Sequence, residues 1–465
     1  MKLHSVIYLL LTSLAFCMSS CSKTYDAINN GGYVNVKQMG AKGDGRNDDT
    51  KAIMRAFNLA NRNHSGVYFP IGTYVISRNT IVKNKRYALM VPSNIDMVGE
   101  DQNKSIIQLG PGHGGFSRMV NLIDVNDINI SNLSFDGNLA AQAKQEEHQG
   151  GVWLQNADNI AIKNCSFYNT GGDGIGIRGP KDPSENVVVR NCLFRDNGRN
   201  GITLGSGFDN VIIDSCFFDA TNMHASPIDS EPEAGSCTRV VMSNNVVVNK
   251  SERSTAITLG GHVPVTGYQV YNNQLENCGF HLVKSYDVAI YNNQVETTDD
   301  RTAINLIYES KRVSISGNKI KSKKDGVAII TTKTSGPSDV VVDSNIITTA
   351  MDISHGIRIQ GGKNIKILNN TINTTNKASR SSSIFVRSTR DVDNIDIRYN
   401  NIENYKDGLT VGTHQNYTVS NMKFEKNKIE ILENGKEIDC KKCNGNLNSQ
   451  VRVSISENDV KKKKI

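Results

Sequence analysis

Along most of this chain apolar and polar residues alternate in short runs, each closed by a polar pair and restarted by an apolar residue. The runs are NIAIKNCSF, NVVVRNCLF, NVIIDSCFF, RVVMSNNVV, GYQVYNNQL, DVAIYNNQV, RVSISGNKI, DVVVDSNII, NIKILNNTI, NIDIRYNNI and NMKFEKNKI. The second residue of each pair falls at 165, 192, 216, 245, 273, 293, 318, 345, 370, 401 and 427, so the motif returns every 20–31 residues. Alternation with period two is the mark of strands, and no helical periodicity separates these runs. Strands repeating at this length with Asn-rich turns predict a parallel β-helix, an all-β solenoid in which each coil stacks on the last. Asn suits the turns because it tolerates left-handed backbone and its amides can stack in ladders. Cys165, Cys192 and Cys216 share one register on three consecutive coils and are expected to be small buried fillers.

A second strand lies between these runs on every coil: GVWLQ, GIGIR, GITLG, PIDSE, AITLG, GFHLV, AINLI, GVAII, GIRIQ, SIFVR and GLTVG. Its second and fourth residues should point inward and its third and fifth outward. The outward positions then form two columns. One runs Trp153, Gly176, Thr203, Asp229, Thr258, His281, Asn305, Ala328, Arg358, Phe385 and Thr410. The other runs Gln155, Arg178, Gly205, Glu231, Gly260, Val283, Ile307, Ile330, Gln360, Arg387 and Gly412. Asp229 and Glu231 stand together on one coil, with only Thr and Gly above and below, in a groove open to a ligand. A solenoid needs a capped end. The stretch GDGRNDDTKAIMRAFNLANRN supplies a helix, with Asp48, Asp49 and Thr50 at its start and Ala52, Ile53, Ala56, Phe57 and Ala60 on one face.

The segment NVKQMGAKGDGRNDDTKAIMRAFNLA, followed by GVYFPIGTYVIS, resembles the N-terminal signature of the pectate-lyase-like superfamily. The resemblance implies a right-handed single-stranded parallel β-helix, and a membership that includes polysaccharide lyases, polygalacturonase-type hydrolases, epimerases and phage tailspikes. It does not select the chemistry. NTGGDGIGI and RNGITLGS resemble polygalacturonase segments with losses: Gly171 and Gly174 stand where acids would, Asn200 stands for a His, and Asp173 alone is retained.

Hydrolysis would use Asp229 and Glu231 as a carboxylate pair, whose Cα atoms lie about 6.6 Å apart along a strand. β-Elimination needs a cation for the uronate carboxylate, a base and an acid, for which Arg178, His281 and Lys284 are the further candidates. Trp153 is placed to stack on a sugar; Arg199, His224 and Arg358 are expected to bind substrate, and His262 lies on a loop nearby. Asp229, Glu231 and Glu233 form a candidate Ca²⁺ set. The sequence-based expectation is a polysaccharide lyase acting on a uronate polymer, with a glycosaminoglycan of the chondroitin, dermatan or hyaluronan type foremost. Hydrolysis, C5-epimerisation and non-catalytic glycan binding stay open, pectin and alginate remain alternative polymers, and structural use of the acids is the plainer alternative for the site.

The first residues carry one early Lys, an apolar run and then CMSSC, resembling a bacterial lipoprotein signal with Cys21 as the acylated residue. No later stretch approaches the roughly 20 apolar residues a bilayer span requires. The expected location is therefore the cell envelope, lipid-anchored to the outer membrane, with an acidic polysaccharide as substrate and no nucleic-acid partner. Lys and Arg exceed Asp and Glu by 53 to 46, a net charge of +7 that mildly favours an anionic partner, part of it in the solvated tail KKKK. Cys440 and Cys443 form a lone C-x-x-C, too little for a zinc site. The organisation read here is an export signal over 1–20, a tether over 21–32, the cap and first coils over 33–90, the β-helix over 91–435 and a C-terminal segment over 436–465.

Overall fold

A computed structural model describes residues 32–463 apart from 79, 83–84, 114–117, 332–334, 377–378, 414–416 and 441–450. The export signal, Cys21 and Cys443 lie outside the described residues. Each coil carries three short strands, as in Ile202–Leu204, Phe208–Asp214 and Phe217–Asp219. Each strand pairs in parallel with its equivalent one coil on: Thr203 with Asp229, Val211 with Val240, Phe217 with Val246. About 14 such turns form the solenoid. Alternate residues enter the interior, where Val211, Ile213 and Phe218 are fully buried. Phe135, Phe167, Phe194 and Phe218 stack there, with ring centroids 4.9, 5.1 and 4.7 Å apart.

The polar pair does two jobs at one corner. Its first member takes left-handed backbone, as at Asn164, Asn191, Ser215, Asn244 and Asn272. Its second member turns inward. Cys165, Cys192 and Cys216 are buried there in succession, and the Cys216 backbone N–H donates to Asn245 Oδ1 at 3.0 Å, where an amide ladder begins. From Asn245 the ladder runs through Asn273, Asn293, Asn318, Asn345, Asn370, Asn400, Asn427 and Asn458, each side-chain amide donating to the next carbonyl oxygen at 2.9–3.0 Å. The ladder member on the tenth repeat is thus Asn400. The sequence position taken for it, Asn401, opens the next strand, because Tyr399 is the left-handed residue of that turn.

At the N-terminal end the helix Thr50–Asn63 buries Ala52, Ile53, Ala56, Phe57 and Ala60 against the first coils, the face expected from its spacing. The two aspartates divide the work. Asp48 Oδ1 accepts the Thr50 N–H at 2.9 Å, while the Asp49 carboxylate turns back to the amides of Lys42 and Gly43 at 2.7 and 2.9 Å. Coils continue past residue 435: Ile438–Cys440 pairs with Leu409–Val411, and Asp459–Lys463 with Lys428–Leu432. Lys461, Lys462 and Lys463 are therefore a rung of the solenoid rather than a free tail, and charge on such an edge discourages further strands from adding.

Candidate active site

Strand pairing places the outward column in the expected register. Trp153 pairs with Gly176, Gly176 with Thr203, Thr203 with Asp229, Asp229 with Thr258, Thr258 with His281 and His281 with Asn305. On the strand Ile228–Ser230, Ile228 and Ser230 are buried and Asp229 faces the groove, half-buried.

Arg199 organises the acids. Its guanidinium reaches Asp173 through Nη1 at 3.3 and 3.2 Å and binds Glu231 through Nη2. Asp173, which is only 7% exposed, also accepts the Asn200 backbone N–H at 3.2 Å. Asn200 is a buried bracket: its side-chain amide donates to Thr203 Oγ1 at 2.9 Å and reaches Asp229 Oδ2 at 3.5 Å, and its carbonyl oxygen accepts the Ser226 N–H at 2.8 Å. Burial pushes Asp173 up to about 6 despite the Arg199 charge. Burial, then the charge of Glu231, raises Asp229 above the usual carboxylate range, against the opposing pull of Arg199, Thr258 and Asn200. Burial would lower Arg199, but the hydrogen bond to Glu231 and the charges of Asp173, Glu231 and Asp229 prevail and raise it. The arrangement places the half-buried carboxyl of Asp229 in the groove beside Glu231, which is ion-paired with Arg199, so the two acids stand in different environments, as acid–base catalysis by two acids requires.

The other expected site residues fall in different places. His281 lies two coils from Asp229, as expected, with its Nε2 buried and unpartnered; burial, then Arg301, lowers its pKa. Lys284 does not reach the acids: its ammonium donates to the His262 carbonyl at 2.8 Å, fastening one turn to the next. His224 is exposed on a loop. Arg358 belongs to a separate cluster five register steps away, ion-paired through Nε with the buried Asp325 at 2.8 Å, where His355 stacks on Phe385 at 4.3 Å.

Trp153 does not offer a face to a sugar. The Arg118 guanidinium lies 3.2 Å from its ring centroid on one side. On the other side the ring covers Gly176, where an added Cβ would sit 2.5 Å from Trp153 Cε3. The three acids considered for Ca²⁺ lie in different surroundings. Glu231 is taken by Arg199, and Glu233 points to solvent with its backbone N–H bound to Ser206 Oγ at 3.1 Å. Among the described residues no three His, Cys, Asp or Glu side chains converge as metal ligands. The polygalacturonase acids missing from the sequence have no room to return: a Cβ at Gly171 would meet Gln149 Oε1 at 1.9 Å, and one at Gly174 the Gly201 carbonyl at 2.7 Å.

A turn that the strand pattern does not describe supplies what closes in at Gly171. Between Asp136 and Val152 the chain crosses neighbouring coils, Gln149 accepting the Gly172 N–H at 2.8 Å and Gln145 donating to the Gly198 carbonyl at 2.8 Å. It carries His148, 3.3 Å from Glu147, whose pKa is lowered by burial and then by the charge of Arg118, with Arg199 adding to the effect and the nearby Glu147 and Glu146 opposing it.

A family model described as a right-handed β-helix region matches residues 118–295, and one described as rhamnogalacturonase A/epimerase, pectate lyase-like, matches residues 33–126. This is a right-handed parallel β-helix of the pectate-lyase-like kind. Among its relatives, alginate lyase 7 of Azotobacter vinelandii is 35% identical over 149 residues, which is 31% of this chain and 16% of that protein. Plasmin and fibronectin-binding protein A of Streptococcus pneumoniae is 25% identical over 89% of this chain and 61% of its own length. The chain thus spans less than two thirds of the length of these curated relatives. The N-terminal fragment of bacteriophage phi29 gene product 12 superposes on the β-helix with a TM-score of 0.58 at 16% identity, covering 87% of this chain and 72% of that one, a likeness of fold.

Proposed function

We propose that this β-helix cleaves glycosidic bonds of a polysaccharide laid along the groove, with Asp229 as general acid and Glu231 as the partner carboxylate that activates water or attacks the sugar. The observation that carries this reading is the pairing of the raised, groove-facing Asp229 with a Glu231 held in an ion pair by Arg199. Asp173 backs Arg199 from the interior and stays out of the reaction. The base candidates first considered for elimination support that chemistry less, since Lys284 is tied to backbone and His281 stands two coils off.

Elimination on a uronate polymer is kept as a second reading because Arg118, Arg178 and His148 gather on the N-terminal side of the acids, and because a stretch of the chain is similar to an alginate lyase. Digestion of a panel of chondroitin, hyaluronan, pectate, alginate and neutral polymers separates the two. New reducing ends without ultraviolet absorbance of an unsaturated sugar are expected. Matching absorbance would establish elimination, and binding without cleavage would leave a glycan-binding solenoid.

A further inference from the structure

Eight arginines of the described coils answer to a carboxylate: Arg190, Arg199, Arg239, Arg301, Arg312, Arg358, Arg380 and Arg398 form ion pairs. Arg178 forms none among the described residues, although it is half-buried and its Nε–H is buried without an acceptor. The indole N–H of Trp153, beside it, is likewise buried without an acceptor. A buried donor without an acceptor is costly, so a fold keeps one where something compensates it.

Nearby side chains sharpen the imbalance. The Arg178 guanidinium lies 6.0 Å from the Trp153 ring against which Arg118 packs. Burial, then the charge of Arg178, lowers Arg118 to about 10, with Asp173 and Tyr87 partly opposing. Two cations thus stand close to one indole. The next residue in the column toward the acids is Gly205, whose added Cβ would lie 3.4 Å from Arg178 Cβ, so that position places no side chain over Arg178. Register puts Arg178 two coils, roughly 10 Å, from Glu231.

Resting on the cleavage reading above, we propose that Arg178, with Arg118 and Trp153, forms a subsite for an anionic group, a carboxylate or a sulfate ester, on a sugar neighbouring the one cleaved. The polymer's charge would be read on the N-terminal side of the carboxylates, and the cleaved sugar itself need not be acidic.

Binding in an inactive background tests this independently of reaction type. In the Asp229→Asn variant, calorimetry would compare uronate oligosaccharides, the same oligosaccharides with carboxyls reduced to alcohols, and sulfated neutral oligosaccharides, with and without Arg178→Gln. Loss of one charge-assisted contact should weaken binding roughly tenfold to hundredfold. A loss confined to the uronate assigns the carboxylate, and one confined to the sulfated ligand assigns the sulfate. Equal loss for charged and reduced ligands, or no loss, overturns the subsite while leaving the cleavage reading standing. Arg178→Lys, which keeps the charge, should recover part of the affinity; recovery on the reduced ligand as well would mark a packing role and count against the proposal. Failure of the parent protein to bind or cleave any polymer of the panel would overturn the cleavage reading, and this subsite with it.

Discussion

Replacing Glu231 by Gln removes one charge from the candidate site at nearly constant volume, and its consequences can be worked from the geometry. Asp229 lies on the strand that ends at Ser230 and Glu231 follows it directly, so extended backbone would put their Cα atoms about 6.6 Å apart. At that distance the repulsion between two unit charges is about 2.5 kcal/mol for an effective dielectric constant near 20 and about 0.6 kcal/mol in water. Glu231 therefore adds to the rise that burial gives Asp229. In the variant that push is lost, and Arg199, freed from Glu231, adds its own lowering influence on Asp229. Asp229 must be protonated to act as an acid, so activity fails as pH rises through its pKa. The alkaline limb of the residual activity should therefore move to lower pH.

Turnover itself should fall about 10²–10⁴-fold, the usual contribution of one acid–base group. The assay is kcat and kcat/KM for reducing-end release over a pH series, on whichever polymer the panel identifies. Unchanged turnover would show that Glu231 takes no part in the chemistry. A large loss of turnover with the alkaline limb unmoved, or moved upward, would refute Asp229 as the titrating acid.

Other outcomes follow from single features of the solenoid. Asp173, raised from 3.8 to about 6, binds its proton more tightly when folded, so its contribution to stability is fullest below the ordinary carboxylate value and is lost as pH climbs through about 6. The shift corresponds to about 3 kcal/mol, and Asp173→Asn should melt with a correspondingly flatter pH dependence between acid and neutral pH. Asn345→Ala removes the donor to Ile315 O, Asp343 O and Asn370 Oδ1 and leaves the Asn318 backbone N–H without its acceptor, costing about 2–6 kcal/mol in urea unfolding. Gly176→Ala must displace the ring of Trp153, the only tryptophan of the chain, so intrinsic fluorescence should shift without loss of the β-sheet circular dichroism signal. We also propose that Cys21 is acylated; Cys21→Ser should release the protein from membranes into the soluble fraction, and unchanged membrane association would refute the anchor.

The strand pairs of the outward column fall where period-two alternation puts them, because a one-residue slip would carry every inward residue to the surface. That constraint explains why Asp229, Thr258 and His281 were legible as neighbours, and why Cys165, Cys192 and Cys216 were legible as interior residues. Register fixes where a strand residue stands and leaves open where a turn goes. Asp173, Arg199, Arg118 and His148 all come from turns, and the segment that carries His148 folds across coils that follow it in sequence. The glycines at 171 and 172 carried a trace of this, since a close crossing needs residues without side chains. Trp153 was misread for a related reason: an outward position on a strand says that a side chain leaves the sheet, and the groove's occupancy depends on what the preceding turn lays over it. Here that is Arg118, so the aromatic ring expected to meet a sugar instead packs against a guanidinium, with Arg178 close beside it.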